Sequence, residues 1–407
     1  MNASQPAFLT FHPPVTINGQ RRALTARIKQ LAAKNGLAIA AVTTAEAFPE
    51  LAEYLERHIR AGRMSGLDWF TVERAAFSAD PRNLQASAQS IVTVGIPYWS
   101  RGLRKPDDDE PRGRIARYAW GLDYHEVIKE RLHRLHAAIE QEVGRKVEAR
   151  FLVDTARIVD RAVAARAGLG WYGKHTCLIV PGHGSWVMIG ELLLDLELAP
   201  DPPLQRDCGR CSLCLDACPT GAIVAPYVVD TPRCLSFQTI EQRGVIPLAL
   251  RPLLGDWVFG CDVCQEVCPY TRAAKDAPDP AFLPRRLEHA FPPLRWLLRM
   301  TEEEFRCVYR GTAVMRARRR GLARNAAVAL GNIGTEEDVP CLAATAESHD
   351  EPLVRAHAIW ALSRIGGAAA RTVIERQWRR EPDELVRTEI AIALEGTTAA
   401  AIDSSRD

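Results

Sequence analysis

The sequence lacks any apolar run approaching the ~20 residues of a membrane-spanning helix. Between Met1 and Arg27 it also lacks an apolar stretch followed by a small-residue cleavage site, so no secretion signal is expected. No excess of one charge is present: 52 basic against 50 acidic residues leave a formal +2. Any nucleic-acid surface must therefore be local and not chain-wide. Without an export signal the expected compartment is the cytoplasm, where disulfides are rare. Disorder is excluded by 47% hydrophobic and 25% charged residues. At roughly 150 residues per domain, a chain of 407 residues makes two to three domains.

What is present is cysteine, concentrated in one stretch. Eleven occur, at 177, 208, 211, 214, 218, 234, 261, 264, 268, 307 and 341, and eight of them fall between 208 and 268. In a reducing compartment such clustering reads as metal or cluster ligation, not as disulfides. Cys208-x2-Cys211-x2-Cys214-x3-Cys218-Pro219 matches the bacterial ferredoxin run, proline included. A second run, Cys261-x2-Cys264-x3-Cys268-Pro269, is one cysteine short, and Cys234 can supply the missing thiolate. In ferredoxins the fourth cysteine of a run serves the neighbouring cluster. One 4Fe–4S cluster then takes Cys208, Cys211, Cys214 and Cys268, and the other takes Cys218, Cys234, Cys261 and Cys264. Cys177, Cys307 and Cys341 are left over and default to core packing. Two adjacent clusters make an electron wire and predict one-electron chemistry nearby.

Ahead of the cysteines, helix-like and strand-like patterns alternate. Arg22–Asn35, Tyr124–Val143 and Ile158–Ala167 read as helices, the last ended by Gly168. Leu37–Val42, Ser90–Pro97, Val147–Val153, Thr176–Val180 and Ser185–Leu194 read as strands. This alternation predicts an α/β or α+β domain over 1–200. A ferredoxin-like two-cluster domain follows over 201–290, set off by Pro200, Pro202 and Pro203 and by a Pro-rich stretch from Pro278 to Pro293. An all-α domain is expected over 291–398, and residues 399–407 read as a frayed tail. In that α domain RNAAVALGNIG, RAHAIWALSRIG and RTEIAIALEG begin at Arg324, Arg355 and Arg387, 31 and then 32 residues apart. The period points to HEAT-like helix pairs, with a plain helical bundle as the alternative.

Gly168-Leu169-Gly170-Trp171-Tyr172-Gly173 has the spelling of a dinucleotide loop. That loop needs a strand before it, whereas a helix precedes it here, so nucleotide binding is not expected. Asp154 follows an apolar strand, where side chains project into crevices. Read from periodicity alone it is first a turn or N-cap residue; beside an apolar cofactor its pKa would rise and it would donate a proton. Asp160-Arg161 reads as a structural pair, Lys174 as a solvated lysine, and His125 as a helix residue able to line a pocket.

Taken together, RIARYAWGLDYH (Arg114–His125), VDTARIVDRAVAARAGLGWYGK (Val153–Lys174), CGRCSLCLDACPTGAI, RCLSFQTIEQRG (Arg233–Gly244), GCDVCQEVCP and the helical repeats resemble the epoxyqueuosine reductases over nearly the whole chain. The resemblance implies a cobalamin-dependent enzyme, related in its core to reductive dehalogenases. Such an enzyme reduces the epoxide of epoxyqueuosine to the alkene of queuosine in the anticodon loop of tRNA, the last step of queuosine synthesis. It implies Asp154 as proton donor, Ser236, Thr239 and Arg243 as a cofactor-facing segment, and Tyr124 and His125 as further cobalamin neighbours. Electrons would come from a small carrier such as a flavodoxin or ferredoxin. The family's Leu-Pro-Gly turn is replaced by Leu84-Gln85-Ala86-Ser87-Ala88, and a basic residue expected near Ser78 is absent, which unsettles some N-terminal cofactor contacts.

A tRNA substrate requires a basic face. Between Phe305 and Gly334 there are seven Arg and no acidic residue. Arg316, Arg318, Arg319, Arg320 and Arg324 are its densest part, and Arg355 and Arg387 either extend the stripe or stabilise the repeats. The alternatives are a corrinoid reductive dehalogenase acting on a small organohalide and an electron-transfer protein that reactivates another corrinoid protein. The Arg-rich extension opposes the first, and the large domain ahead of the cysteines opposes the second. Nothing demands a partner chain, so a monomer is expected.

Overall fold

The structure, a computed structural model, describes residue 6, residues 19–276 and residues 279–403; of 396–403 it describes the backbone only. The chain divides into two compact units that interleave in sequence. The first comprises Met1–Gly102, Leu122–Pro232 and Asp262–Leu283, and the second Leu103–Gly121, Arg233–Cys261 and Pro284–Asp407. These units cut across the sequential division at 200 and 290.

Local pairings account for the interleaving. Within the second unit, Trp257–Phe259 pairs in parallel with Arg114–Ile115, which holds two distant segments together. Within the first, Asp279 forms a bidentate pair with Arg131, and Ser185 bonds Gln265 and Thr271. These contacts draw Asp262–Leu283 back to the first unit.

The core of the first unit is a four-stranded sheet. Its order is Ile39–Thr44, Ser90–Pro97, Val187–Leu194, Ala149–Leu152, and every pairing is antiparallel. Of the two expected classes the sheet is therefore the α+β one. Ser90–Pro97 is buried along its whole length because strands flank it on both edges. The helix Tyr124–Val143 begins where Asp123 accepts the His125 N–H and ends at Gly144, whose φ is 67°. It packs on one face of the sheet, where Gly190 lies against Ile128. The short helix Asp160–Arg166 covers the other face, with Ala162 and Val163 against Ile91 and Leu193. Gly168 then turns the chain at φ 73°, where a Cβ would sit 2.2 Å from the Pro202 carbonyl oxygen. The helix before Gly168 is the feature that excluded a dinucleotide loop, and it is present.

The second unit is mainly helical. Arg318–Ile333 packs on Pro352–Ile365, and that helix packs on Glu384–Asp403; Val339–Ser348 packs on Gly367–Trp378 in a parallel row. Two rows of alternating helices are the stacking that the 31- and 32-residue spacing predicts. The close approach of the first two helices depends on Gly331, where a Cβ would meet the Ala361 Cα at 2.8 Å. The backbone of the last helix runs to Asp403, into the stretch expected to fray; residues 404–407 lie outside the described residues. No helix among the described residues is long and apolar enough to cross a membrane.

Candidate active site

Asp154 leaves the end of the strand Ala149–Leu152 with φ 43°, a left-handed conformation that few non-glycine residues adopt. That turn aims its carboxyl into a cavity of about 400 Å³ within the first unit. Tyr54, Trp69, Phe70 and Tyr172 give the cavity an aromatic wall, and Asp154, Asp160, Arg161 and Thr176 give it a polar one. The side chain of Asp154 is 57% accessible, but what it faces is this cavity.

Two side chains from the start of the long helix hold Asp154. The Tyr124 hydroxyl donates to Asp154 Oδ2 at 2.5 Å, and His125 Nε2 lies 3.5 Å from the same oxygen. The Tyr124 and His125 rings stack at 4.2 Å, and His125 Nδ1 pairs with Asp123 at 2.8 Å. The structure thus brings the expected trio of Asp154, Tyr124 and His125 together.

Their charges differ from the sequence-based expectation. Burial pushes the Asp154 carboxyl upward, but the bonds from His125 and Tyr124 outweigh it and hold the pKa below the ordinary value. Two donors thus face a carboxyl that periodicity treated as solitary, and the upward shift expected beside an apolar cofactor is a matter for the loaded enzyme. Burial lowers the His125 pKa, yet Asp123 and Asp154 overcome it and raise it to about 9. At neutral pH the resting arrangement is therefore a carboxylate beside an imidazolium.

Asp160 and Arg161 are not merely a structural pair. Both line the cavity, and Arg161 Nη1 donates to the Thr176 carbonyl at 2.9 Å. Burial, followed by the charge of Asp154, pushes the Asp160 pKa up to about 8.

The cysteine loop lies in the same unit. Cys208, Cys211, Cys214 and Cys268 are mutual electrostatic neighbours, so the four thiols assigned to one cluster converge. Burial, then the neighbouring thiols of Cys208, Cys268 and Cys211, push the Cys214 thiol up to about 12. Burial is also the first cause that raises the Cys208 thiol, with Cys268 and Cys211 adding to it. The short helices Leu213–Asp216 and Val263–Glu266, which carry Cys214 and Cys264, pack together. Lys174 departs from the solvated reading: it is 7% exposed, and its Nζ donates to the carbonyls of Gly209 at 2.6 Å and Cys211 at 2.9 Å. Of the four cysteines expected to hold the other cluster, Cys218 and Cys264 belong to the first unit, and Cys234 and Cys261 to the second.

In the second unit the sequence-based candidates separate. Ser236 is half-buried on the helix Leu235–Ile240. Thr239 is 1% exposed; its hydroxyl donates to Leu235 and accepts from the Gly260 N–H. A hydroxyl so committed ties a helix to a strand and does not face a cofactor. Arg243 donates to the Arg316 carbonyl at 2.8 Å.

The arginine stripe is likewise divided. Arg324 is buried and donates to the carbonyls of Gln238, Gln242 and Gly244. Arg355 pairs with buried Glu381 at 2.8 Å, and Arg387 lies over the Trp378 ring. Arg319 is bonded to Asp350. Arg319, Arg355 and Arg387 thus bond within the repeats, Arg324 anchors the segment 238–244, and the expectation that Arg319, Arg324 and Arg355 meet phosphate is corrected. Arg318 is exposed, Arg320 lies 3.9 Å from Glu351, and Arg316 is 46% accessible while paired with Glu241.

A ferredoxin-type cysteine run and a polar cavity in an α+β unit, in a chain whose other unit is built of helical repeats, define the class as an iron–sulfur oxidoreductase. Family models agree on each part: a 4Fe–4S double cluster binding domain matches residues 207–271, HEAT repeats match 312–395, and the epoxyqueuosine reductase QueG model matches 79–155. The epoxyqueuosine reductase of Xanthomonas campestris is 38% identical over 349 residues, covering 84% of this chain and 96% of its own. That of Escherichia coli K12 is 36% identical over 350 residues, covering 84% and 89%. A crystal structure of epoxyqueuosine reductase with an epoxyqueuosine-modified tRNA-Tyr stem loop superposes with a TM-score of 0.85 at 31% identity, covering 92% of this chain and 98% of that one. The Bacillus subtilis enzyme, solved with its catalytic aspartate loop swung out of the active site, gives 0.85 at 30% identity over the same shares. The chain belongs to the epoxyqueuosine reductase family.

Proposed function

We propose that this chain reduces epoxyqueuosine to queuosine in the anticodon loop of tRNA, the last step of queuosine biosynthesis, with Asp154 delivering protons to the departing oxygen. The observation that carries this reading is the strained Asp154, held by Tyr124 and His125 on the wall of a cavity in the unit that also gathers four cluster thiols. Related enzymes are named for this reaction, and one was solved with the modified stem loop.

Two 4Fe–4S clusters take the eight cysteines as assigned from their spacing, and a small donor of the flavodoxin or ferredoxin kind feeds them. Cobalamin, when bound, supplies a strongly reducing cobalt centre. Asp154 and the two side chains that hold it, Tyr124 and His125, are its proposed neighbours in the first unit. The residues of the chain manage the proton. Because Asp154 rests as a carboxylate, the first proton is stored on His125 Nε2 and reaches the substrate through Asp154 Oδ2. Protonation matters because the oxygen would otherwise leave as an alkoxide.

The tRNA stem is proposed to lie against exposed Arg316 and Arg318 and half-buried Arg320, whose phosphate contacts position it while the modified base is splayed out. The enzyme is proposed to act in the cytoplasm as a monomer. Deleting the protein and analysing tRNA nucleosides by mass tests the substrate: the epoxide precursor accumulates if the reading holds, and an unchanged queuosine level refutes it.

A further inference from the structure

The strand Val187–Leu194 carries one acid in an aliphatic setting. Glu191 is wholly buried, and neither of its carboxylate oxygens has a hydrogen-bond partner among the described residues. Directly opposite on the neighbouring strand, Thr93 is also wholly buried with its hydroxyl unpartnered.

Side chains alternate along a strand, so Glu191 shares a face with Leu193, and Leu193 packs against Ala162 and Val163. The face that bears Glu191 is thus the one covered by the helix that starts at Asp160. One Asp160 oxygen accepts from its own backbone N–H, and the other is buried without a partner. Asp160 and Asp154 both line the cavity. Three carboxyls therefore run from the middle of the sheet to the cavity wall.

An unpartnered, ionised carboxylate inside a sheet costs several kcal/mol, so such groups hold their protons instead. The charged and titratable groups facing the inner pair are Asp154, Arg161, His125 and Tyr172. Burial, then the charges of Asp160 and Asp154, keep Glu191 well above its ordinary value, and Arg161 does not reverse the rise at Asp160.

We propose that Asp160 and Glu191 form a proton store behind Asp154, supplying the second of the two protons that the deoxygenation consumes. The proposal rests on the epoxyqueuosine reading. In that reaction both C–O bonds of the epoxide break and a C=C bond forms. Two electrons enter singly from an external one-electron carrier, and two protons leave with the oxygen as water. His125 and Tyr124 account for one proton at Asp154 Oδ2. Asp154 must then be recharged within the same turnover, and Asp160 is the next acid inward. Both are positioning residues, since neither is placed against substrate.

The test compares full-length, cluster-loaded wild type with Asp160→Asn and Glu191→Gln, variants that keep the shape of the neutral acids. The first readout is the infrared carbonyl band of protonated carboxyl groups at pH 7 without substrate. The band is expected in wild type and reduced in each variant. The second is the pH profile of turnover on the modified stem loop. Wild type loses rate above pH about 8, and Asp160→Asn moves that limb up toward the His125 value of about 9, with about a tenfold fall in kcat and an unchanged KM. If Glu191→Gln fails to fold, Asp160→Asn carries the test. Turnover without the band, or a limb that stays in place in Asp160→Asn, overturns the store. A wild-type chain with the band that never deoxygenates the stem loop overturns the substrate reading and the delivery role with it.

Discussion

Tyr124 donates to Asp154 Oδ2 at 2.5 Å from the first turn of a helix that starts thirty residues earlier in the chain. The bond fixes a carboxylate that leaves its strand in a left-handed turn, and it adds to His125 in keeping that carboxylate charged. On the proposed reading, proton delivery depends on a helix N-terminus as well as on the strand that bears the acid.

Asp154→Asn keeps the shape and removes the proton. Cluster absorbance and iron content are expected to stay at wild-type levels while turnover falls by roughly 10²–10⁴. Near-normal single-turnover rates in the variant would remove Asp154 from its role.

His125 gives stability a pH dependence of known sign. Its pKa rises from 6.5 to about 9 on folding, so its contribution is complete below 6.5 and is lost as pH rises through 9. Thermal denaturation should show the melting temperature of wild type falling across that window. In His125→Asn this component of the fall should vanish.

Lys174 holds the cysteine loop by two charged hydrogen bonds. Lys174→Met leaves two carbonyls unsatisfied and should cost ~2–5 kcal/mol of loop stability. Anaerobic reconstitution followed by iron analysis should find reduced occupancy in the variant, with the sheet unit still folded by circular dichroism.

The two kinds of arginine separate experimentally. Arg318→Glu with Arg320→Glu should weaken stem-loop binding and lower the slope of log affinity against log salt by about 1 per lost phosphate contact. Arg324→Ala should lower the melting temperature instead, because it strips the carbonyls of Gln238, Gln242 and Gly244 of their donor.

Much of the fold was legible where local signals were strong. Tyr124–Val143 and Ser90–Pro97 have the bounds that periodicity gives them, because Asp123 and Gly144 punctuate the helix and the strand is apolar throughout. Cysteine spacing placed four thiols that do converge. Glu191 was not legible: it is one acid before an aliphatic run, and its fate depends on strand register. Lys174 looks like any surface lysine until the cysteine loop folds over it. Arg324 and Arg318 look alike in a basic run, and only tertiary contacts show which one points inward. The downward shift at Asp154 comes from Tyr124 and His125, a pairing that no local pattern encodes.

The most direct measurement is conversion of an epoxyqueuosine-modified stem loop by purified, anaerobically reconstituted protein given cobalamin and a one-electron reductant. The account predicts that the nucleoside loses one oxygen atom by mass, with Asp154→Asn run in parallel showing almost none of the product. A wild-type protein carrying its clusters and cobalamin that leaves the epoxide intact would contradict it.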